Sequence, residues 1–257
     1  MAAVRDAVRL AVGTLTRWPV TPPTTVDRRT ARDAMLLAPW VGLALGVLAS
    51  VIAWLAGQLG ASPLVVAVLV LVLLALATRG LHLDGLADTA DGLGSGRGAA
   101  DALEIMRRSD LGPIGAATLV LTLMVQAAAL DQVLTRHGPV VLGALVAASR
   151  LALPVACTTT VPAARSGGLG AAVAGSVPLP AAVLDFLLVA AVAAGAFTLA
   201  GAGPLAGVQV CAAGLIATTL TIRVTRRRLG GITGDVLGAA VELALAAGLL
   251  TAVLRPA

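Results

Sequence analysis

Acidic side chains are concentrated in one short stretch of this sequence. Of the 13 acidic residues, six lie between positions 84 and 110, and Asp84, Asp88 and Asp91 are spaced at i, i+4 and i+7. On an α-helix this spacing places the three carboxylates on one face. Because like charges at this spacing repel each other, a helix of this kind is stable only with a cation between them. The pattern therefore predicts a cation site on one helix face.

Magnesium is the cation that this pattern favours. It prefers oxygen ligands and usually shares its shell between one or two protein carboxylates and the phosphates of a substrate. Glycine lets a ligand approach the backbone closely and leaves N–H groups free to hold phosphate. We predict that Asp84, Asp88 and Asp91 bind magnesium and a diphosphate; the alternative is a solvated polar face beside a membrane helix. Glycines follow at positions 85, 92, 94, 96 and 98.

Two further features near this stretch could take part in chemistry. His82 lies two residues before Asp84 and could act as a general base near neutral pH, although a lone histidine at a helix end more often has a structural role. Glu104 and Arg108 are four residues apart, and we expect them to form an ordinary surface ion pair.

Isolated charges in the second half of the chain indicate further binding groups. Arg150 lies inside an apolar run, and Asp235 and Glu242 are in a similar setting. A charge in such a place is costly and usually marks a functional or paired site. Arg165 precedes Ser166-Gly167-Gly168, a flexible basic loop suited to an anionic ligand.

The composition shows what kind of element must position these groups. The 257 residues are 58% hydrophobic and 12% charged, and the mean hydropathy is +0.98. This excludes a water-soluble domain and indicates a polytopic membrane protein whose outer face is covered by the lipid bilayer. The net charge of +5 does not indicate a nucleic-acid partner, because the arginines lie between apolar runs and only 2% of the residues are aromatic. Proteins that bind nucleic acids usually cluster their charge on a solvated domain and stack aromatic side chains on bases.

The apolar pattern predicts an all-α protein with about seven transmembrane helices in a single domain spanning residues 1–257. Residues 1–16 resemble an interfacial helix, and residues 17–34 an irregular polar connection. A very tight turn around residues 201–204 would join two of the spans. The predicted crossings, each near the length that a bilayer requires, are residues 35–57, 63–79, 112–130, 139–157, 181–202, 204–222 and 232–253.

The arginines indicate the orientation of these crossings. With the amino terminus inside, 15 of the 18 basic residues fall in cytoplasmic segments, and only Arg136 and Arg255 face the other side. Basic residues are retained preferentially in cytoplasmic loops. We therefore expect a multi-pass protein of a prokaryotic cell membrane. Its acidic segment, residues 80–111, would be cytoplasmic and would carry the active site.

Several motifs resemble the cobalamin synthase family, the adenosylcobinamide-GDP ribazoletransferases. The acidic motif HLDGLADTADGLGS at 82–95 and LGGITGDVLGAAVEL at 229–243 carry the resemblance most specifically. LTRWPV at 15–20, ALEIMRRSDLGPIGA at 102–116 and SRLALP at 149–154 extend it over most of the chain. The chain departs from the family at Arg108 and Asp110, where the usual acidic and basic residues are exchanged.

The resemblance implies an enzyme that joins adenosylcobinamide-GDP to α-ribazole or its 5′-phosphate, releases GMP and requires Mg²⁺. It further implies that Asp84, Asp88 and Asp91 hold the metal and that Asp84, Asp88 or His82 accepts a proton. The substrate-binding residues would be Arg150, Arg165, Thr233 and Asp235.

Two other functions are alternatives at this point. A CDP-alcohol phosphotransferase also uses spaced aspartates in an Asp-Gly-x-x-Ala context, which residues 84–87 partly match, but Asp88 stands where an arginine is expected. A secondary transporter is disfavoured, because the acidic residues lie in a predicted cytoplasmic segment and the two halves show no repeat of broken helices.

Overall fold

The computed structural model describes residues 2–108 and 110–254, and the regular structure of this part of the chain is helical. A short 3₁₀ turn, Pro139–Val141, precedes α7. The helices are α1 (Ala2–Leu15), α2 (Arg28–Gln58), α3 (Pro63–Ala77), α4 (Leu81–Gly94), α5 (Ala99–Ile105), α6 (Pro113–His137), α7 (Leu142–Arg150), α8 (Ala152–Ala156), α9 (Gly168–Val173), α10 (Leu179–Leu199), α11 (Pro204–Leu229) and α12 (Gly234–Val253).

The number of long apolar helices agrees with the predicted all-α membrane protein. Within the described residues six helical segments are long and apolar enough to cross a bilayer: α2, α6, the segment Pro139–Ala156, α10, α11 and α12. The remaining predicted crossing, residues 63–79, corresponds to α3, which is followed by α4 at a bend of 88°. Because of this bend we take the crossing to end at Ala77 and α4 to run across the end of the bundle.

The bundle has two distinct ends. At one end Arg136 donates a hydrogen bond to the backbone oxygen of Val253, and His137 lies 3.3 Å from the oxygen of Ala252. At the other end the carboxyl end of α11 contacts α4, and Arg228 donates a hydrogen bond to the backbone oxygen of Leu93 at 3.5 Å. We call this the α4 end; it holds the acidic motif on α4 and the three arginines in the last turn of α11, Arg226, Arg227 and Arg228.

The centre of the bundle is α7, of which every residue is buried. Small residues let its neighbour α2 approach closely, as is usual for helices packed in membranes. A Cβ atom added at Gly46 would lie 2.7 Å from the Cα atom of Gly143, and one at Gly42 would lie 2.9 Å from the backbone oxygen of Val146. The helices α2 and α7 therefore form a tightly packed core.

Three sequence predictions about local structure can be compared with these helices. The tight turn is confirmed, since α10 ends at Leu199 and α11 begins at Pro204. The predicted irregular connection at 17–34 is too long, because α2 begins at Arg28. The Asp27 carboxylate caps this helix by accepting a hydrogen bond from the backbone N–H of Thr30 at 2.7 Å, as acidic residues commonly do at this position. Residues 2–15 are helical as predicted, but Asp6 is buried and bonded to Thr24, and does not lie on an exposed polar face.

Candidate active site

The acidic motif is carried by α4, and the backbone before it sets the direction of this helix. Arg79 and Gly80 both have positive φ, at 56° and 70°, which breaks the chain after α3. One face of α4 is buried and includes Gly85, Leu86 and Thr89. On the opposite face the side chain of Asp84 is exposed and that of Asp88 is half-buried. Because α4 is one continuous helix from Leu81 to Gly94, Asp91 shares this face with them, as the spacing predicts.

Two glycines bring α4 against the first turn of α12. A Cβ atom added at Gly85 would lie 2.6 Å from the backbone oxygen of Asp235 and 2.9 Å from its Cα atom. On α12, a Cβ atom added at Gly238 would lie 3.1 Å from the Cα atom of His82. Any larger residue at these positions would separate the helices. Asp235 therefore lies beside the acidic face of α4, although it is far away in sequence.

Asp235 belongs to a small hydrogen-bonded group at the start of α12. The Thr233 hydroxyl donates a hydrogen bond to the Asp235 carboxylate at 3.1 Å and accepts one from the backbone N–H of Val236 at 3.2 Å. Because it satisfies a backbone donor of the first turn, Thr233 also caps the helix. The same Asp235 oxygen lies 3.7 Å from a guanidinium nitrogen of Arg165.

A two-way backbone contact holds Arg165 in this position. The backbone N–H of Ala164 bonds to the oxygen of Ile232 at 2.9 Å, and the N–H of Ile232 bonds to the oxygen of Pro162 at 3.0 Å. Arg165 donates a further hydrogen bond to the backbone oxygen of Leu103 on α5 at 2.6 Å. The basic loop and the GGITGD motif are therefore joined directly, as their predicted shared role requires.

The electrostatics indicate that these groups share one environment. The pKa of Asp88 is raised to about 6, first by partial burial and then by the negative charges of Asp84, Asp235 and Asp91, while the positive charge of Arg165 opposes the shift. Burial and neighbouring negative charge both disfavour an ionised carboxylate. Asp235 in turn interacts with the charges of Arg165 and Asp84. We refer to Asp84, Asp88, Asp235 and Arg165 as the acidic cluster. It has more negative than positive charge, so it favours a cation.

Asp91 has a different set of contacts. Its two carboxylate oxygens accept hydrogen bonds from the backbone N–H groups of Gly112 and Gly115, each at 2.8 Å. These N–H groups belong to the start of α6, where backbone donors have no helical partner. Asp91 therefore fastens α4 to α6, and its carboxylate is already engaged. No local pattern in the sequence indicates this contact, because the partners lie 21 and 24 residues away.

Two other predicted site residues lie in the interior, away from the acidic cluster. His82 is buried, and neither ring nitrogen has a hydrogen-bond partner. Arg150 is 2% exposed and donates to the Ser149 hydroxyl at 2.7 Å. Its charge interacts with that of Glu242, which accepts a hydrogen bond from Gln126 at 2.9 Å. Arg150 is thus part of a buried polar group with Glu242 and Gln126, which agrees with a paired charge, although the sequence did not show which residues would surround it.

Two cavities are lined in part by residues of the acidic cluster. One, of about 560 Å³, is lined by Asp84 and Arg79 together with apolar residues such as Leu83 and Leu111. The other, of about 570 Å³, lies between α5 and the loop after Arg165, and Arg165 itself lines it. Both are large enough for a small organic ligand. One charged residue of the acidic cluster therefore lines each cavity, Asp84 the first and Arg165 the second.

One detail of the sequence predictions differs from the structure. Glu104 and Arg108 form no ion pair within 4 Å; Glu104 lines the second cavity and Arg108 is exposed. Asp110 is also exposed. As the side chains stand, the described residues include no group of three or more His, Cys, Asp or Glu side chains arranged to hold a metal ion.

Comparison with known proteins identifies the family. The family model described as cobalamin-5-phosphate synthase matches residues 7–253. An adenosylcobinamide-GDP ribazoletransferase from a Nocardioides species is 49% identical over 247 residues, which cover 96% of this chain and 98% of that protein. Proteins of the same name from Frankia casuarinae and Corynebacterium efficiens are 45% and 35% identical, over 94% and 95% of this chain and 92% and 90% of their own lengths. No solved structure gives a significant match. The chain belongs to the cobalamin-5-phosphate synthase family.

Proposed function

We propose that this chain is a membrane-bound adenosylcobinamide-GDP ribazoletransferase, which acts in the last steps of cobalamin synthesis. Family membership and the names of the relatives support the choice of substrates and favour it over a lipid phosphotransferase or a transporter. The observation that carries the proposal is the convergence of Asp84, Asp88, Asp235 and Arg165, brought from three separate motifs to one end of the bundle.

We propose that the acidic cluster holds Mg²⁺ through Asp84, Asp88 and Asp235. Carboxylate oxygens are the ligands that Mg²⁺ prefers, and substrate phosphates usually complete its shell. The pKa of Asp88 is raised first by partial burial and then by the neighbouring carboxylates, and a divalent cation would relieve this second contribution. Asp235 takes the place that the sequence assigned to Asp91, whose oxygens bond to the start of α6.

The reaction that this arrangement would perform is a phosphoryl-group transfer. The ribose hydroxyl of α-ribazole attacks the corrinoid-side phosphorus of the diphosphate, a new phosphorus–oxygen bond forms, and the bond to GMP breaks. Bound Mg²⁺ would neutralise charge on the diphosphate. Arg165 binds phosphate oxygens. Asp84, which faces the first cavity, accepts the hydroxyl proton as the nucleophile approaches. His82 is too deeply buried to take this part.

We propose that the α4 end faces the cytoplasm of a prokaryotic cell. The arginines of the α4 end include Arg28, Arg79 and those at positions 226–228, whereas Arg136 lies at the opposite end. Basic residues are retained on the cytoplasmic side of membrane proteins. Both substrates would then reach the acidic cluster from the cytoplasm.

The test is a reaction with the purified protein in lipid nanodiscs. Adenosylcobinamide-GDP, α-ribazole and Mg²⁺ are supplied, and GMP and the complete corrinoid are measured. We expect both products from the wild type and a loss of at least about 100-fold in Asp84→Asn and Asp88→Asn, because charge neutralisation is the main contribution to such reactions. Asp131→Asn, at the other end of the bundle, serves as the matched control.

Two results would contradict the proposal. No product, under conditions where a known synthase is active, would refute the assigned reaction. Near-normal turnover in both Asp84→Asn and Asp88→Asn would show that the carboxylates on α4 are only a solvated face.

A further inference from the structure

The second cavity combines positive charges with one carboxylate. Its lining includes Glu104 and Arg107 on and just after α5, together with Arg165 and Ser166 on the facing loop. Glu104 is exposed to the cavity and has no ion-pair partner within 4 Å among the residues that the structure describes. A lone carboxylate beside two arginines would be out of place in a site for phosphate alone.

We propose that this cavity binds the guanosine half of the nucleotide substrate, with Glu104 recognising the guanine base. The inference rests on the proposed function for the presence of a guanine nucleotide, but it assigns the cavity and the specificity residue from the structure. Arg107 and Arg165 bind the phosphate of the same nucleotide.

The chemistry of guanine explains the choice of a carboxylate. Guanine presents two parallel donors, its N1–H and its 2-amino group, and an ionised carboxylate has two acceptor oxygens in matching positions. Adenine presents an acceptor at N1 and lacks the 2-amino group, so it would leave the carboxylate without either hydrogen bond. A site built to accept hydrogen bonds from a substrate rejects an analogue that lacks them.

The position of Arg165 sets the direction of the nucleotide. One of its guanidinium nitrogens lies 3.7 Å from Asp235, and its Nε atom is buried without a hydrogen-bond partner. Arg165 therefore joins the acidic cluster to the cavity and has a donor left for a phosphate oxygen. With the diphosphate at the acidic cluster, the base points away from Asp235 and towards α5, where Glu104 is found.

The test measures binding of the product nucleotide, which needs no corrinoid. Affinities of GMP, IMP and AMP are determined by equilibrium dialysis with the wild type, Glu104→Gln and Asp101→Asn in nanodiscs. IMP keeps the N1–H but lacks the 2-amino group, and AMP lacks both donors. Asp101 lies one turn earlier on α5 and outside the cavity, so its variant is the control.

We expect the wild type to bind GMP most tightly, IMP less tightly and AMP at least about 10-fold more weakly than GMP, since hydrogen bonds to charged groups contribute this much. Glu104→Gln should weaken GMP binding about 10- to 100-fold and leave AMP binding within about threefold, whereas Asp101→Asn should change neither. Arg107→Ala should weaken all three nucleotides alike, because it acts on the phosphate.

Two outcomes would overturn the inference. The first is equal affinity of the wild type for GMP and AMP. The second is a Glu104→Gln variant that shifts all three nucleotides equally, which would mean that Glu104 only balances the charge of the arginines. Either result with intact GMP release from adenosylcobinamide-GDP would refute this inference alone, whereas absence of GMP release would refute the proposed function.

Discussion

Replacing Gly85 with alanine should disable the enzyme with little loss of folded protein. The added Cβ atom would lie 2.6 Å from the backbone oxygen of Asp235, whereas ordinary van der Waals contact begins at 3.4 Å, so α4 and α12 must separate by about 0.8 Å. Both contacting groups are backbone, so neither can turn aside. The separation moves Asp84 and Asp88 away from Asp235.

The size of this effect follows from how strictly phosphoryl transfer depends on position. A misplacement of about 1 Å can cost roughly 100-fold in rate, and we expect a loss of this order in turnover for Gly85→Ala. Overpacking should lower the free energy of unfolding by about 1–3 kcal/mol. The better helix propensity of alanine offsets about 1 kcal/mol of this.

The assay is GMP release in nanodiscs, with thermal unfolding measured on the same preparations. Gly195→Ala is the matched control, because Gly195 lies inside α10 and an added Cβ atom there meets nothing within 4 Å. It should be as active as the wild type and slightly more stable. Turnover of Gly85→Ala within about threefold of the wild type would show that the close contact of α4 and α12 is not needed to assemble the site.

The other predictions concern stability and topology. Asp91→Ala leaves the N–H groups of Gly112 and Gly115 without their acceptor, so the free energy of unfolding should fall by about 2–4 kcal/mol in thermal melts; an unchanged melting temperature would contradict the role in fastening α4 to α6. Arg150→Met leaves Glu242 as an uncompensated buried charge and should destabilise the fold by about 3–5 kcal/mol. Adding Glu242→Gln should recover part of the loss, and independent effects of the two changes would exclude their coupling. The cysteine of Ser95→Cys should be labelled only from the cytoplasmic side of intact cells or vesicles. The native Cys157 and Cys211 are buried and should not react. Labelling only from outside would show that the proposed orientation is reversed.

The sequence predicted well those features that depend on local pattern. The apolar runs indicated the long helices, and the i, i+4 spacing placed Asp84 and Asp88 on one face of α4, as helical periodicity requires. Family motifs pointed to Arg165, Thr233 and Asp235, which the structure brings together. Of these, Thr233 is the N-cap of α12, and Asp235 follows Gly234 in its first turn.

The features that the sequence could not reveal depend on contacts between distant segments. Asp91 continues the spacing of Asp84 and Asp88, yet it meets the start of α6, and only tertiary packing makes it a structural residue. Arg150 looks like an isolated charge in a span, but its surroundings are Glu242 and Gln126 from other helices. The spacing of Glu104 and Arg108 predicted an ion pair, whereas the fold directs Glu104 into a cavity.

We propose that Asp235, and not Asp91, completes the magnesium site. The most direct measurement is the Mg²⁺ concentration for half-maximal GMP release in Asp235→Asn and in Asp91→Asn, each compared with the wild type at a temperature where both variants are folded. Asp235 and Asp91 both lie near enough to Asp88 for their charges to act on it, but both oxygens of Asp91 already accept hydrogen bonds from backbone N–H groups of α6. We therefore expect Asp235→Asn to raise this concentration at least about 10-fold and Asp91→Asn to change it less than about twofold. A large shift in Asp91→Asn together with none in Asp235→Asn would show that Asp91, and not Asp235, holds the metal.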